Sequence, residues 1–173
     1  LPSFRSQAYL QYNFTHLLRD SSNIKVTGGI RANYWTVNEQ LLFSPRFTIA
    51  FQPNWKRDWL FKLSGGLYYQ PPFYRELRDV TGTVNKNVKA QKSTHLVLTG
   101  DYIFRMWNRP FKFIAAAYYK DLQSIIPYEI DNVRVRYFAN NNAKGYALGT
   151  DLRINGEFVK GVESWATIGF LRT

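Results

Sequence analysis

Ser93, His95 and Asp101 are the residues of this chain whose types match a nucleophile, a base and an orienting carboxylate. They stand at alternate positions of one run, so a strand places all three on one face. Hydrolytic chemistry needs the imidazole within hydrogen-bond reach of both partners. At about 3.4 Å per residue the spacing puts Ser93 about 7 Å from His95 and Asp101 about 20 Å away. Asp101 then cannot orient that ring, and the triad fails on geometry. His16 is the one other histidine, and cysteine is absent, which removes thiol catalysis, cysteine metal sites and disulfide scaffolds. No His, Asp or Glu set has metal-ligand spacing. The expectation is a non-enzyme with no cofactor and no metal.

Binding is the better use of the remaining polar residues. Tyr74, Arg75, Glu76 and Arg78 fall in a long polar segment, where a ligand or partner would be met; their more ordinary role is to order that segment. Arg134 and Arg136 alternate in Val133-Arg-Val-Arg-Tyr137 and could meet an anion, or pair with Glu129 or Asp131. Trp35, Trp55, Trp59 and Trp107 read as membrane-interface aromatics. Gly28-Gly29 and Gly65-Gly66 are not followed by helices, so they relieve crowding in strands rather than cradle phosphate.

These residues are positioned by strands. The clearest is in Trp59 to Leu77. Trp59, Phe61, Leu63, Leu67 and Tyr69 alternate with Lys62, Ser64, Gly66 and Gln70, giving one apolar and one mostly polar face. Pro71-Pro72 stops it, because proline brings no N–H to a ladder. Similar alternation marks Phe4 to about Leu18, Ile24 to Trp35, a strand starting at Pro45, one from Ser93, Phe111 to Lys120, Lys144 to about Asn155, and about Val162 to Leu171. Short connections are expected near Ser21, Lys56, Asn108 and Asn155-Gly156, and longer ones at Thr36 to Ser44, Pro71 to about Lys92 and Asp121 to Ala143. Short turns on one side and long loops on the other, joined by about eight long antiparallel strands, are the grammar of a transmembrane β-barrel.

Composition agrees with that grammar. Aromatics make up 17% of the 173 residues, yet mean hydropathy is −0.35. A barrel strand hides its membrane character this way, because only alternate side chains face lipid. The longest apolar run, Phe113 to Tyr119, is far short of the roughly 20 residues a membrane helix needs. The formal charge of +11 is spread along the strands with no nucleic-acid recognition motif. Solvation of a polar lumen, or contact with anionic lipid and lipopolysaccharide, accounts for it.

With long loops outside, both ends of the segment fall on the outer side, so the expectation is an internal piece of a larger barrel. Gly29-Ile-Arg-Ala-Asn-Tyr-Trp35, Leu42-Phe-Ser-Pro-Arg46, Tyr68-Tyr-Gln-Pro-Pro-Phe-Tyr-Arg-Glu-Leu77 and Ala90-Gln-Lys-Ser93 occur in order. Ile126 to Tyr137, Gly145 to Asp151 and Gly156 to Trp165 follow them. Together they resemble the barrel of TonB-dependent receptors from Bacteroidota. The resemblance implies a 22-stranded outer-membrane barrel, a plug inside it, a TonB-contacting box, sometimes a surface lipoprotein partner, and uptake of a nutrient ligand. Plug and TonB box are not in these residues. Two other roles stay open: a receptor-like barrel serving as a structural or assembly subunit, and a small self-contained outer-membrane barrel.

Overall fold

Ten strands carry the chain, and the computed structural model describes residues 3–173. Eight form one antiparallel sheet: β1 (Arg5–Leu17), β2 (Asn23–Trp35), β3 (Gln40–Gln52), β4 (Asp58–Gln70), β5 (Gln91–Met106), β6 (Arg109–Ile125), β9 (Ala143–Val159) and β10 (Val162–Arg172). Two short ones, β7 (Tyr128–Asp131) and β8 (Arg134–Tyr137), make a separate hairpin inserted between β6 and β9. The sheet order is β1-β2-β3-β4-β5-β6-β9-β10, a meander interrupted once, where the β7–β8 hairpin intervenes between the paired strands β6 and β9. The sheet is not closed: β1 and β10 are its two edges. No helix of the described residues is long and apolar enough to cross a membrane.

The connections correct several boundaries. The segment from Thr36 to Ser44 is no long loop. Only residues 36–39 turn, and β3 begins at Gln40. Pro45 lies inside β3, opposite Ile30. Its missing N–H costs a partner on the other side, where the ladder to β4 runs only over Arg46–Phe51. Asn155-Gly156 is not a turn either. Gly156 lies within β9, paired with Phe111 on one side and Ser164 on the other, and a Cβ there would run into the Phe111 ring. The chain reverses instead at Lys160-Gly161, where Gly161 takes φ +81°. Trp107 and Asn108 both adopt positive φ, as a two-residue type I′ hairpin demands.

The face pattern is continuous across the eight strands. The register Leu10–Ile30–Pro45, Phe47–Gly65–Leu96 and Ala117–Thr150–Phe170 keeps apolar residues on one side. From the row Trp59–Tyr102–Phe113–Ile154 to the row Leu96–Tyr119–Leu148, Arg172 on the edge strand β10, opposite Leu148, is the one Lys, Arg, Asp or Glu on that face. Nothing covers it: Leu10, Phe43, Leu98 and Ile168 are half-exposed or more. Among the described residues only seven hydrophobic residues are buried, so the sheet has no core against either side. Five of them, Trp35, Leu77, Val88, Ile126 and Ala139, cluster at the long-connection end.

Candidate functional site

Two regions collect the side chains capable of recognition: the cap of connections at one end, and the polar face of the sheet. The cap is stitched by amides. Asn141 accepts from Lys89 N at 2.6 Å and donates to Lys89 O and Ser124 O, both at 2.9 Å. Asn85 Nδ2 donates to Ala139 O at 2.9 Å. Gln40 Oε1 accepts from Ala90 N at 2.8 Å. Residues 71–90 and 126–142 are thereby one ordered body over the ends of the strands.

Most of the loop residues expected to face a ligand spend their contacts inside this cap. Glu76 is buried and accepts from Phe73 N at 2.7 Å. Tyr74 meets the Trp35 ring edge-on at 5.9 Å and exchanges a hydrogen bond with Ser3. Arg75 lies over Tyr137 at 5.6 Å, joining the two long connections. Arg78 bridges to Val84 through the backbone. Arg136 pairs with Asp131 at 2.7 Å across the β7–β8 hairpin, while Arg134 stands opposite Asp131 in register without an ion pair. The structure therefore brings Arg75 to the hairpin but does not gather the loop arginines into one pocket. Asp79, in the turn of the cap, accepts from the Thr81 side chain and from the Thr81 and Thr83 amides, which holds its carboxyl below the usual range.

The tryptophans divide. Trp35 departs from the expectation of an interface aromatic. It is 2% exposed, stands on the polar face opposite Arg5, and is packed under the cap with the Arg5 guanidinium 4.3 Å from its ring. Trp59 and Trp107 belong to an aromatic line at the short-turn end of the apolar face. Trp59 stacks on Tyr102 at 4.5 Å, Tyr102 on Phe104 at 5.2 Å and Phe104 on Phe111 at 5.7 Å. Trp107 and Phe158 then meet Phe111 edge-on. Trp55 meets Phe61 in the same way.

This line is oblique to the hydrogen-bonded rows. The row through Phe51 reaches Phe61, Gly100, Ala115 and then Leu152. The aromatics instead descend through Trp59, Phe104 and Phe111 to Phe158, six residues beyond Leu152 on β9. Six residues are about 20 Å along a strand, over four inter-strand steps of about 4.8 Å. The line is thus inclined at about 45° to the perpendicular of the strands. Tyrosines nearer the other end drift the same way, Tyr146 lying one inward step below the row of Tyr69.

The polar face holds most of the charge of the strands. Arg5, Lys25, Arg31, Arg46, Lys62, Lys112, Lys120 and Arg153 stand there against Asp101, Asp151 and, at the start of β4, Asp58. Asp101 is buried and takes both Lys62 and Lys112 at 3.0 Å. Ser93 and His95 are closer than strand spacing suggests: Ser93 Oγ and His95 Nε2 are 2.6 Å apart, because both side chains lean along the strand. Asp101 is paired with its two lysines. Sequence reasoning missed what surrounds His95. Tyr68 stacks on it at 4.4 Å, Arg46 lies over Tyr68 at 5.0 Å, and Lys120 is its cross-strand partner. The signal was present in the shared alternation, but the register that joins four strands was not.

A scan against protein-family models and searches of curated proteins and of solved structures return no match.

Proposed function

We propose that this chain forms part of the wall of a transmembrane β-barrel in the bacterial outer membrane, and that the barrel is a TonB-dependent receptor taking up a nutrient ligand. The observation that carries the reading is the oblique aromatic line bordering an uncovered apolar face. In a barrel the strands tilt by about 35–45° to the membrane normal, so a belt level with the membrane must cross the rows at that angle. The line's inclination of about 45° fits. The height fits as well. Trp59 and Tyr69 share the apolar face of β4, ten residues apart. That is about 34 Å of strand, or about 26 Å along the normal at a tilt of about 40°, against an apolar band of about 25 Å.

The open edges β1 and β10 support a larger wall, because unpaired ladder groups are not tolerated in lipid. The uptake role rests on the resemblance of the sequence blocks and on the polar, cation-rich inner face. A plug, TonB and a surface lipoprotein would be met outside this segment.

The segment lacks cysteine, so single cysteines report cleanly. Leu96→Cys, Val97→Cys, Leu98→Cys and Thr99→Cys are expressed in the full-length protein in outer membranes. The lipid-facing pair, 96 and 98, should react with a bilayer-confined maleimide and the other pair with a water-soluble one. Uniform reactivity, or protection of 96 and 98 from both reagents, would refute the membrane wall and point to a second protein layer on the apolar face.

A further inference from the structure

A cavity of about 140 Å³ opens on the polar face beside the cap. Its origin lies in Pro45. The ladder between β3 and β4 ends at Arg46–Gly66, so residues 40–45 and 67–70 run on without pairing to each other. Leu42 and Tyr69 line the cavity from the two sides of that gap. The rest of its wall comes mainly from β1 and β2. The cross-strand row Gln7–Asn33–Leu42 belongs to the lining. The row Arg5–Trp35 lies two residues nearer the cap, and Arg31 lies two residues farther from it. Two residues are about 7 Å of strand. An atom held over Asn33 is therefore within the length of an arginine side chain of both Arg5 and Arg31.

The lining is rich in donors and has no acid. Arg5, Arg31, Gln7 and Asn33 belong to it, and no Asp or Glu does. Among the described residues the ion pairs are those of Asp101 with Lys62 and Lys112 and of Asp131 with Arg136, so neither arginine is neutralised there. Arg5 donates to Pro72 O at 3.3 Å and lies over the Trp35 ring, which leaves further N–H groups of its fork to spend. Trp35 adds an observation of another kind. It is almost wholly buried, it lines the cavity, and its indole N–H has no acceptor. Buried donors are nearly always paired, because leaving one unpaired forfeits its hydration for nothing.

The ligand that answers these groups is a dianion that accepts from several directions. Water can accept from the indole but cannot balance two guanidiniums. A carboxylate offers one pair of oxygens in one plane, whereas the donors here stand on different rows of two strands. A tetrahedral oxyanion meets them all. The cavity suits its size, having room for only a few waters at about 30 Å³ each. The amide oxygens of Gln7 and Asn33 can take the proton that phosphate keeps near neutral pH. We infer that the Arg5–Arg31–Trp35 cavity is a binding site for phosphate, as the free ion or as the head of a phosphomonoester. The phosphate would accept from both guanidiniums and from the Trp35 indole.

The test combines calorimetry and NMR of the tryptophan indoles on the full-length protein purified from outer membranes in detergent. The probes are inorganic phosphate, methyl phosphate and acetate. Phosphate should bind, with acetate at least about tenfold weaker. Arg5→Gln and Arg31→Gln should each weaken phosphate about tenfold or more, as loss of a charge-assisted hydrogen bond does. Trp35→Phe keeps an aromatic ring under the cap and loses the donor. It should weaken phosphate severalfold and delete the one indole resonance that phosphate shifts most in the parent protein. Lys25→Gln, on the same face but remote from the cavity, should leave binding unchanged. Methyl phosphate that binds as well as phosphate assigns the head-group form, and its exclusion assigns the free ion. Acetate as tight as phosphate overturns the inference. So does phosphate that fails to bind, or binds equally to the Arg5 and Arg31 variants. So does binding that leaves the Trp35 resonance unmoved, since the anion then sits elsewhere. The site lies on the polar face whatever medium meets the apolar one. Failure of the wall reading shows in the cysteine labelling of positions 96 to 99, and normal labelling with no phosphate binding sinks this inference alone.

Discussion

Leu98→Arg separates a membrane wall from a soluble sheet by the size of its cost. Leu98 is 56% exposed on the apolar face, in the row Leu63–Leu98–Ala117. The row lies four residues inward from Trp59 and six from Tyr69 on β4, near the middle of the apolar band. In water, a substitution at so open a position costs within about 0.5 kcal/mol. In lipid, an arginine near the midplane of a barrel costs about 2–4 kcal/mol, a factor of roughly 30 to 1,000 in the folding equilibrium at about 1.4 kcal/mol per decade. Val97→Arg is the control. It is the next residue, faces the other side, and has uncharged cross-strand neighbours in Ser64 and Tyr118. Its stem can lie along the sheet with the guanidinium in water. The assay is reversible denaturant unfolding of the full-length protein in phosphatidylcholine vesicles, followed by tryptophan fluorescence. The expected result is a large loss at position 98 and little at 97. Equal small effects at both positions would refute the assignment of the apolar face to lipid.

Other perturbations probe the sheet and the cap. Gly156→Val should destabilise the protein by about 1–3 kcal/mol in the same assay, because Phe111 is buried between Phe104, Trp107 and Phe158 and cannot clear the Cβ. Asn141→Ala removes hydrogen bonds to Lys89 and Ser124; limited proteolysis should then cut residues 71–90 faster while the strands stay protected. The Asp79 turn should depend on pH. Its carboxyl is held below the ordinary value chiefly by the Thr81 side chain, against a smaller desolvation cost. The stabilisation is therefore complete above the unfolded carboxylate pKa of about 3.9 and is lost as pH falls through the lower folded value. Amide exchange at Gly82 and Thr83 should accelerate, relative to the sheet amides, only in that acid window, and Asp79→Asn should remove the extra acceleration.

Alternation made the strands and their two faces legible. Trp59 to Gln70 needs no partner to show which side chains share a side, since period two is a local property. Local signals misled where a partner strand decides. Asn155-Gly156 has the composition of a tight turn, but the glycine is needed for the ring of Phe111 across the ladder, and the reversal goes to Lys160-Gly161. Pro45 was expected to begin a strand because it cannot donate, yet β3 accommodates it by ending the ladder to β4 at Arg46. Trp35 has the type of an interface residue, and only the packing of Leu77, Val88 and Ile126 over it puts it in the cap. The inner cluster was the least legible feature. Arg46, Tyr68, His95 and Lys120 lie on four strands, and no spacing within one strand announces their meeting.

A covering protein layer would also hide the apolar face, and the aromatic line bears on that alternative. A sheet packed on another sheet puts its bulkiest side chains toward the middle of the contact, where least water reaches. Here the middle of β4 to β6 is held by Leu63, Gly65, Leu98, Gly100, Ala115 and Ala117, with the rings of Phe47 and Phe61 in the same rows. The rings of Trp59, Tyr102, Phe104, Trp107, Phe111 and Phe158 crowd one border. Mostly small and aliphatic residues in the centre, with tryptophan and tyrosine among the rings at the border, suit a solvent that is fluid and apolar in the middle and polar at its surface. The obliqueness adds a constraint that a sandwich does not impose. A packing partner would select rows or diagonals by its own side chains, whereas a bilayer selects a level plane, and tilted strands must meet that plane at their tilt.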